Sequence, residues 1–408
     1  MGLTTAHRLA KRGCSIILVE TKEDVGYGAN YANGAMLVPS QSAPWNTPGI
    51  LATLIKSFVA QEPAVRVRLK AIPSLANWGM HFLNNSKPHL YELNLHRILH
   101  LALYSMKVFE EYYQKYHDQF DARKCGTIKI FRDRPRLEAQ NKINNNLDEA
   151  GLDWQTLTPK EIAEAEPHLQ TIVPQLVGGI RFPADIVADS QKFCRILRDD
   201  LIASGHVVLT GCHANELLMS GDKVVGVRTS MGDIRSKTTV LALGAKTGQL
   251  VPETTRSISV RPVKGYSLTY DTTAIKDLPA LPVIDEALHV GVVPLTRKLR
   301  VVGIAEFTGF DSSMNSKIVQ QLERFIKRIY PDLDQELEDC ECESWSGFRA
   351  MSADGLPYIG HTSHKGLWVN TGHGHLGWTL ATGSAELLAD LITGNHPEID
   401  PTPYAVFR

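Results

Sequence analysis

The first twenty residues, MGLTTAHRLAKRGCSIILVE, constrain the fold more than any other stretch of the chain. After Gly2, the apolar residues Ala6, Leu9 and Ala10 recur at helical spacing. Gly13 then interrupts, and the mostly β-branched run from Ser15 to Val19 ends on Glu20. This order is the second half of a βαβ unit. In a complete dinucleotide-binding fingerprint, a strand and G-x-G-x-x-G stand before such a helix, and an acidic residue about 20 positions on binds ribose hydroxyls. Gly2 takes the place of the third glycine and Glu20 that of the ribose carboxylate. The spacing predicts that about 10 to 15 residues, carrying the strand and the G-x-G, precede Met1 in the complete protein. The rival expectation is a true loss, with two open sheet edges and no phosphate cradle, hence a binding-deficient chain without activity.

With 408 residues the chain can bury a core in two or three domain-sized units. A net charge of -1 gives no global field toward nucleic acid, so no nucleic-acid partner is expected. The cysteines, Cys14, Cys125, Cys194, Cys212, Cys340 and Cys342, fit neither a disulfide framework nor a four-ligand zinc site, and no metal is expected. No apolar run reaches the roughly 18 residues that span a bilayer, and the opening residues lack a signal-peptide pattern. A cytoplasmic protein is therefore predicted, at most peripheral on the inner face of a bacterial cytoplasmic membrane.

Residues 24–50, rich in Gly, Asn and Pro, read as a long functional loop. The apolar spacing from Leu90 to Tyr116 predicts a long amphipathic helix. A strand over GTIKIFRD, a helix over 135–150 and a Thr-Pro helix start at Thr158 follow. A second α/β block has a helix over 190–204, a strand HVVLTG, a hairpin turning at Ser220-Gly221-Asp222, and the buried strand KTTVLALGA. Residues 258–309 are strand-rich, and a helix is predicted over 317–329. The C-terminal part returns to glycine-rich loops before a helix over 378–392.

That part holds the densest signal. Gly372, Gly374, Gly377 and Gly383 cluster near a helix start, where backbone can approach a flat ligand and free N–H groups can stabilise negative charge. The segment from Gly347 to Gly360 resembles the G-x-R-P-M-T-x-D-G-x-P-x-I-G text of the D-amino-acid dehydrogenase branch of the D-amino-acid oxidase family of FAD enzymes. It matches at Arg349, Met351, Asp354, Gly355, Pro357, Ile359 and Gly360, with Ala350 in place of Pro. Asn370 to Thr379 is similar to that branch's N-T-G-H-G-x-L-G-W-T. SAPWNTPG (42–49), VKGYSLT (263–269) and the segment with Asp185, Asp189 and Phe193 extend the resemblance along most of the chain, with Ala188 where the family has Gly. ANGAML resembles A-N-A-G-Q-I, with Met36 in the glutamine place.

The resemblance implies an α/β fold: an FAD-binding, Rossmann-like domain built from separated segments (1–120, 175–255 and 344–408), with an inserted α+β substrate domain (121–174 and 256–343) holding a mixed or antiparallel sheet. It implies FAD as cofactor, held by Gly2, Glu20, Asn33, Gly34, Ala35, Met36, Gly244, Gly372, Gly374, Leu376, Gly377, Trp378 and Thr379. The activity implied is oxidation of a D-amino acid to the imine, which water converts to the 2-oxo acid and ammonia. Electrons then pass to a quinone or other acceptor, with a peripheral membrane contact. Related oxidation of glycine, sarcosine, D-proline or hydroxyproline on the same scaffold is the alternative. Arg349 is the candidate clamp for the substrate carboxylate, since a planar guanidinium grips a carboxylate bidentately. Tyr266 either adds a hydroxyl or is a half-buried strand tyrosine. His373 and His375 lie in the turn, and His373 joins the candidate catalytic set. Lys264 either neutralises an oxygen of flavin or substrate or is solvated, and Pro44 and Trp45 either cover the mouth of the site or belong to the core.

Overall fold

The computed structural model describes residues 1–57, 62–250 and 258–408. The expected border at 255/256 lies outside these residues. Helix α1 (Gly2–Lys11) leads into β1 (Ile17–Val19), then β2 (Met36–Leu37), α2 (Ile50–Ser57), β3 (Val65–Val67), α3 (Ile72–Asn84) and α4 (Pro88–Tyr116). Next come β4 (Thr127–Phe131), α5 (Arg134–Glu149), β5 (Gln155–Leu157), α6 (Pro159–Ala165), β6 (Gly178–Phe182) and β7 (Ile186–Val187). Helix α7 (Ser190–Ala203) precedes β8 (Val207–Leu209), β9 (Ala214–Ser220), β10 (Lys223–Thr229), β11 (Gly232–Arg235), β12 (Thr239–Leu241) and α8 (Thr247–Leu250). The remainder is β13 (Val260–Asp271), β14 (Val283–Asp285), β15 (Val290–Leu295), β16 (Lys298–Phe307), α9 (Ser316–Ile329), α10 (Asp334–Glu338), β17 (Cys342–Ser352), β18 (Tyr358–His361), β19 (Leu367–Thr371) and α11 (Ala381–Thr393).

The architecture is mixed α/β. β1 pairs in parallel with β8, and β12 in parallel with β19, which is also joined by β18. β1 and β12 each keep one edge without a strand partner among the described residues. The start of α1 lies at the end of β12, where a Cβ on Gly2 would sit 3.7 Å from Ala242 Cβ. Arg8 and Arg12 of α1 bind Glu386 on α11. Arg8 also binds Glu111 on α4 at 2.6 Å, and Arg12 binds Asp390 on α11 at 2.6 Å. These ion pairs tie the helices that flank the two parallel pairs.

The larger sheet runs β17-β13-β16-β15-β14-β4-β6-β5, with β3 added beside β16. One of its faces carries the aliphatic core, built by Leu268, Val292 and Val301 with Leu322, Phe325 and Ile329 of α9. Helix α9 forms because Asn315 caps its start through the Lys317 N–H and its apolar residues repeat on one side. Thr158 starts α6 through a full capping box with Glu161, as its Thr-Pro start predicts.

Three features depart from the sequence expectations. Cys342–Ser352 is an eleven-residue strand rather than a glycine-rich loop, because it zips along β13 from Val260↔Ser352 to Tyr270↔Cys342. The large sheet also takes in β3, β6 and β17, which the expected division assigns to the other domain. Helices α2 and α3 stand where no helix is read from the sequence.

Candidate active site

Residues directly opposed in antiparallel strands share a face of the sheet. The pairs Val263↔Arg349, Gly265↔Gly347 and Ser267↔Trp345 join β13 to β17, while Ser267↔Val302 and Thr269↔Arg300 join it to β16. Gly291 on β15 faces Val302. One face therefore presents Arg349, Gly265, Ser267, Val302, Arg300 and Gly291, opposite to the aliphatic core. The loop Asn33–Met36 lies over it: the Met36 methyl is 3.5 Å from where a Cβ of Gly291 would be, and 3.7 Å from that of Gly34.

Arg349 lies across Gly265. A Cβ there would fall 2.5 Å from the guanidinium carbon, so only glycine leaves room. Arg349 is half-buried, and desolvation pushes its guanidinium pKa down to about 10. It has no carboxylate partner among the described residues. Nη1 donates to the Ile304 carbonyl at 3.3 Å, and the group lies 5.6 Å from the Trp45 ring centroid. Ile304 is itself a strained point. The β13–β16 register slips between Gly265 and Tyr266, and Ile304 takes φ 58°, which is costly for a β-branched residue. That bulge is what brings its carbonyl to Arg349.

Tyr266 and Lys264 are on the opposite face and are not brought to Arg349. The Tyr266 hydroxyl donates to the buried Glu306 carboxylate within the aliphatic core. Lys264 is fully buried and donates to the carbonyls of Asp311 and Ser313 at 2.8 and 2.9 Å, with Glu306 at 3.4 Å. It is thus neither solvated nor directed at the loop. Burial raises the Glu306 pKa, but hydrogen bonds from Tyr266 and Arg68 and the Lys264 charge more than offset this and leave it below the usual carboxylate range.

The glycine-rich turn joins β19 to α11. Gly372 (φ 81°) and Gly374 (φ 57°) hold left-handed backbone, with Tyr358 and Met351 at 3.1 Å from their would-be Cβ positions. His373 bonds Ser384 Oγ at 3.0 Å, and burial pushes its pKa down to about 3. His375 bonds the Gln41 carbonyl at 3.2 Å and stacks on Trp45 at 5.2 Å, and burial lowers its pKa to about 4. Both imidazoles are neutral at physiological pH. Trp45 thus touches both His375 and Arg349, while Pro44 packs near Gly355. Leu376 is buried beside α4. Trp378 donates to the Ala188 carbonyl among Phe109 and Phe193, so its ring belongs to a core cluster, and Thr379 Oγ1 accepts from the Val38 N–H at 2.9 Å. Gly244, at the end of β12, accepts through its carbonyl from Thr371 Oγ1 at 3.0 Å. Glu20 follows β1, where its carboxylate accepts from the Lys22 N–H.

The residues present suit a flat, polar cofactor along this line. The first-turn N–H groups of α1 form an anion-favouring end. Asn370 Oδ1, Ser352 Oγ and Ser267 Oγ are buried without hydrogen-bond partners among the described residues, and Gly372 adjoins Ser352. Sequence reading did not single out Ser267, Ile304 or Arg300. Arg300 is buried, with its pKa lowered by desolvation. It donates to Thr269 Oγ1 at 3.0 Å and to the Asn33 carbonyl at 3.1 Å, fixing the loop to the sheet. An arginine inside the alternating strand KLRVVGIAEF is the signal that could have found it. Among the described residues no group of His, Cys, Asp and Glu is arranged to hold a metal, and no helix is long and apolar enough to cross a membrane.

The sequence model of the family described as FAD dependent oxidoreductase matches residues 1–391. The chain is 31% identical over 408 residues to a D-amino acid dehydrogenase of Vibrio cholerae serotype O1 (strain M66-2), covering all of this chain and 96% of that protein. It is 32% identical over 412 residues to a D-amino acid dehydrogenase of Methylobacterium sp. (strain 4-46), again covering all of this chain and 96% of the relative. The structure of glycine oxidase from Geobacillus kaustophilus superposes with a TM-score of 0.78 at 22% identity, over all of this chain and 95% of that one, which is a likeness of fold.

Proposed function

Because the chain belongs to the FAD dependent oxidoreductase family, we propose that it oxidises D-amino acids to 2-oxo acids and ammonia. The observation that carries this reading is Arg349, a half-buried, desolvated guanidinium with no anionic partner among the described residues, on the sheet face beneath the Asn33–Met36 loop. An uncompensated buried cation is costly, and an α-carboxylate is the group that would compensate it bidentately. The relatives named D-amino acid dehydrogenase support the choice of substrate.

The residues that would hold FAD are Gly2 and the first turn of α1, Glu20, Asn33 to Met36, Gly244, and the turn from Gly372 to Thr379. Bound there, FAD supplies the acceptor for the hydride that leaves Cα. Arg349 holds the carboxylate, and the Ile304 carbonyl and Trp45 ring hold Arg349, so orientation is set before reaction. The neutral His373 and His375 add no second cation beside the substrate ammonium. The substrate ammonium gives up its protons to solvent as Cα gives up its hydride, leaving the imine, and water then adds to the imine carbon and releases ammonia to give the 2-oxo acid. Electrons leave to a quinone or another acceptor, and a peripheral membrane contact serves that exchange.

The test is the visible spectrum of the FAD-loaded protein under anaerobic conditions. Addition of D-alanine bleaches the flavin band and L-alanine does not. Equal bleaching by both, or by neither across a panel of D-amino acids, sinks the reading.

A further inference from the structure

Helix α3 is apolar on two sides, yet only one is packed. Leu75, Trp78 and Phe82 face inward, in a cluster with Val263, Phe307 and Met351. Ile72, Ala76, Met80 and Leu83, spaced by four, four and three residues, form a second stripe that is exposed, with Met80 at 65%. Leu69, just before α3, is 75% exposed. Helix α2 repeats the pattern: Ile50 joins the same inner cluster, while Leu51 and Ile55 lie outside, Ile55 at 61%. Single exposed apolar residues need no explanation, but a patch drawn from consecutive elements marks an interaction surface.

Its charge is as one-sided as its hydropathy. Residues 25–91 hold one acidic residue, Glu62, against Lys56, Arg66, Arg68, Lys70 and Lys87, in a chain whose acidic and basic totals are 44 and 43. Glu62 is already bound by Arg324 and Arg328 of α9. Lys70 and Lys87 are exposed and make no ion pair among the described residues. The exposed apolar side chains are Leu, Ile and Met rather than the Tyr and Trp that mark protein interfaces, and the polar residues beside them on α3, Ser74, Asn77, His81 and Asn84, carry no negative charge. Aliphatic residues flanked by lysines fit the acyl boundary and headgroups of an anionic bilayer.

We propose that the outer face of α2, the Leu69–Lys70 turn and α3 docks on an anionic lipid surface. Its purpose rests on the reading above, in which a lipid-soluble acceptor takes the electrons, but its geometry does not. Trp45, which covers Arg349, packs in the cluster beneath the two helices, so a docked surface would lie beside the candidate active site.

The test is flotation of the full FAD-loaded chain with vesicles of phosphatidylcholine alone or mixed equally with phosphatidylglycerol. The wild type floats with the anionic vesicles and about tenfold less with the neutral ones. Leu69→Glu/Met80→Glu and, separately, Lys70→Glu/Lys87→Glu each lower the floated fraction by about tenfold. Their flavin spectra and bleaching by D-alanine in detergent-free buffer stay unchanged. Absence of wild-type flotation overturns the proposal, as does a Leu69→Glu/Met80→Glu variant that floats like the wild type. So does wild-type self-association on size exclusion that this variant abolishes, since the face would then bind a second copy. Flotation without D-amino-acid bleaching keeps the surface and removes the substrate reading. Bleaching without flotation does the reverse.

Discussion

Lys264 and Arg349 stand one register step apart on β13 and β17, Lys264 fully buried and Arg349 half-buried, and they face opposite sides of the sheet. Lys264 is saturated: two carbonyls and the Glu306 carboxylate surround it, and Tyr266, Arg68 and Asn315 complete the carboxylate's shell. Arg349 has one long hydrogen bond to a carbonyl and an aromatic neighbour. A satisfied buried charge is part of the fold, whereas an unsatisfied one is kept at a cost that binding can offset. The strain at Ile304 lies on the Arg349 side of this contrast.

The largest effect that would break the contrast is expected from Arg349→Met. Loss of a bidentate buried partner costs roughly 4 kcal/mol, so kcat/KM for D-alanine should fall by about a thousandfold. Stability should hold or rise by about 1 kcal/mol, because a desolvated charge is removed. Thermal melting together with steady-state kinetics checks both. A large loss of Tm would show that Arg349 is structural like Lys264. The converse variant, Lys264→Met, should cost about 3 kcal/mol of stability by breaking a buried network, with the rate of flavin reduction changed only a few fold. Collapse of the rate in a folded Lys264→Met protein would erase the distinction between the faces.

Gly265→Ala sharpens the same contrast with one methyl group. The added Cβ meets the guanidinium, the free end of a flexible side chain, rather than backbone. The fold should therefore hold while Arg349 is displaced, and a misplacement of about 1 Å is worth about a hundredfold in rate. A variant with normal KM and kcat would show that Arg349 does not act from its position over Gly265.

This asymmetry explains how far the sequence could be read. The half-fingerprint, Glu20, α4, α7 and α9 are written in local periods of two or 3.6, which need no distant partner to be recognised. Arg349 was picked out through its motif neighbours, and the structure adds only its face and its lack of a carboxylate partner among the described residues. The face of Tyr266 was not legible: a residue's side of a strand follows from register, and here register runs through β17 and the bulge on β16, whose partners lie far away in sequence. Cys342–Ser352 reads as loop because Gly347 and its polar neighbours carry little strand preference, and pairing with β13 overrides that. Helix α3 was hidden for the opposite reason. Its inner and outer apolar stripes, with Pro73 and Gly79 among them, blur the one-faced pattern that marks an amphipathic helix.

The smallest expected effect concerns pH. Arg349 and Arg300 are the cations of the open face, and if Arg349 alone takes the carboxylate the neighbouring imidazoles must stay neutral. Burial holds His373 and His375 at about 3 and about 4, below the roughly 6.5 of a free histidine. Each therefore contributes stability that is fully present above about pH 6.5 and lost progressively as pH falls toward the folded-state values, because the unfolded chain binds the protons first. Flavin reduction by D-alanine, measured by stopped flow at saturating substrate, should show no inflection between about pH 5 and 8 from either imidazole. His375→Gln should change its rate by only a few fold, through the loosened stack on Trp45. An inflection near pH 6.5 that His375→Gln removes would place a second titrating cation beside Arg349. The open face of the sheet would then hold a charge pair tuned by protons, and the contrast with the saturated face would rest on titration rather than on an empty carboxylate position.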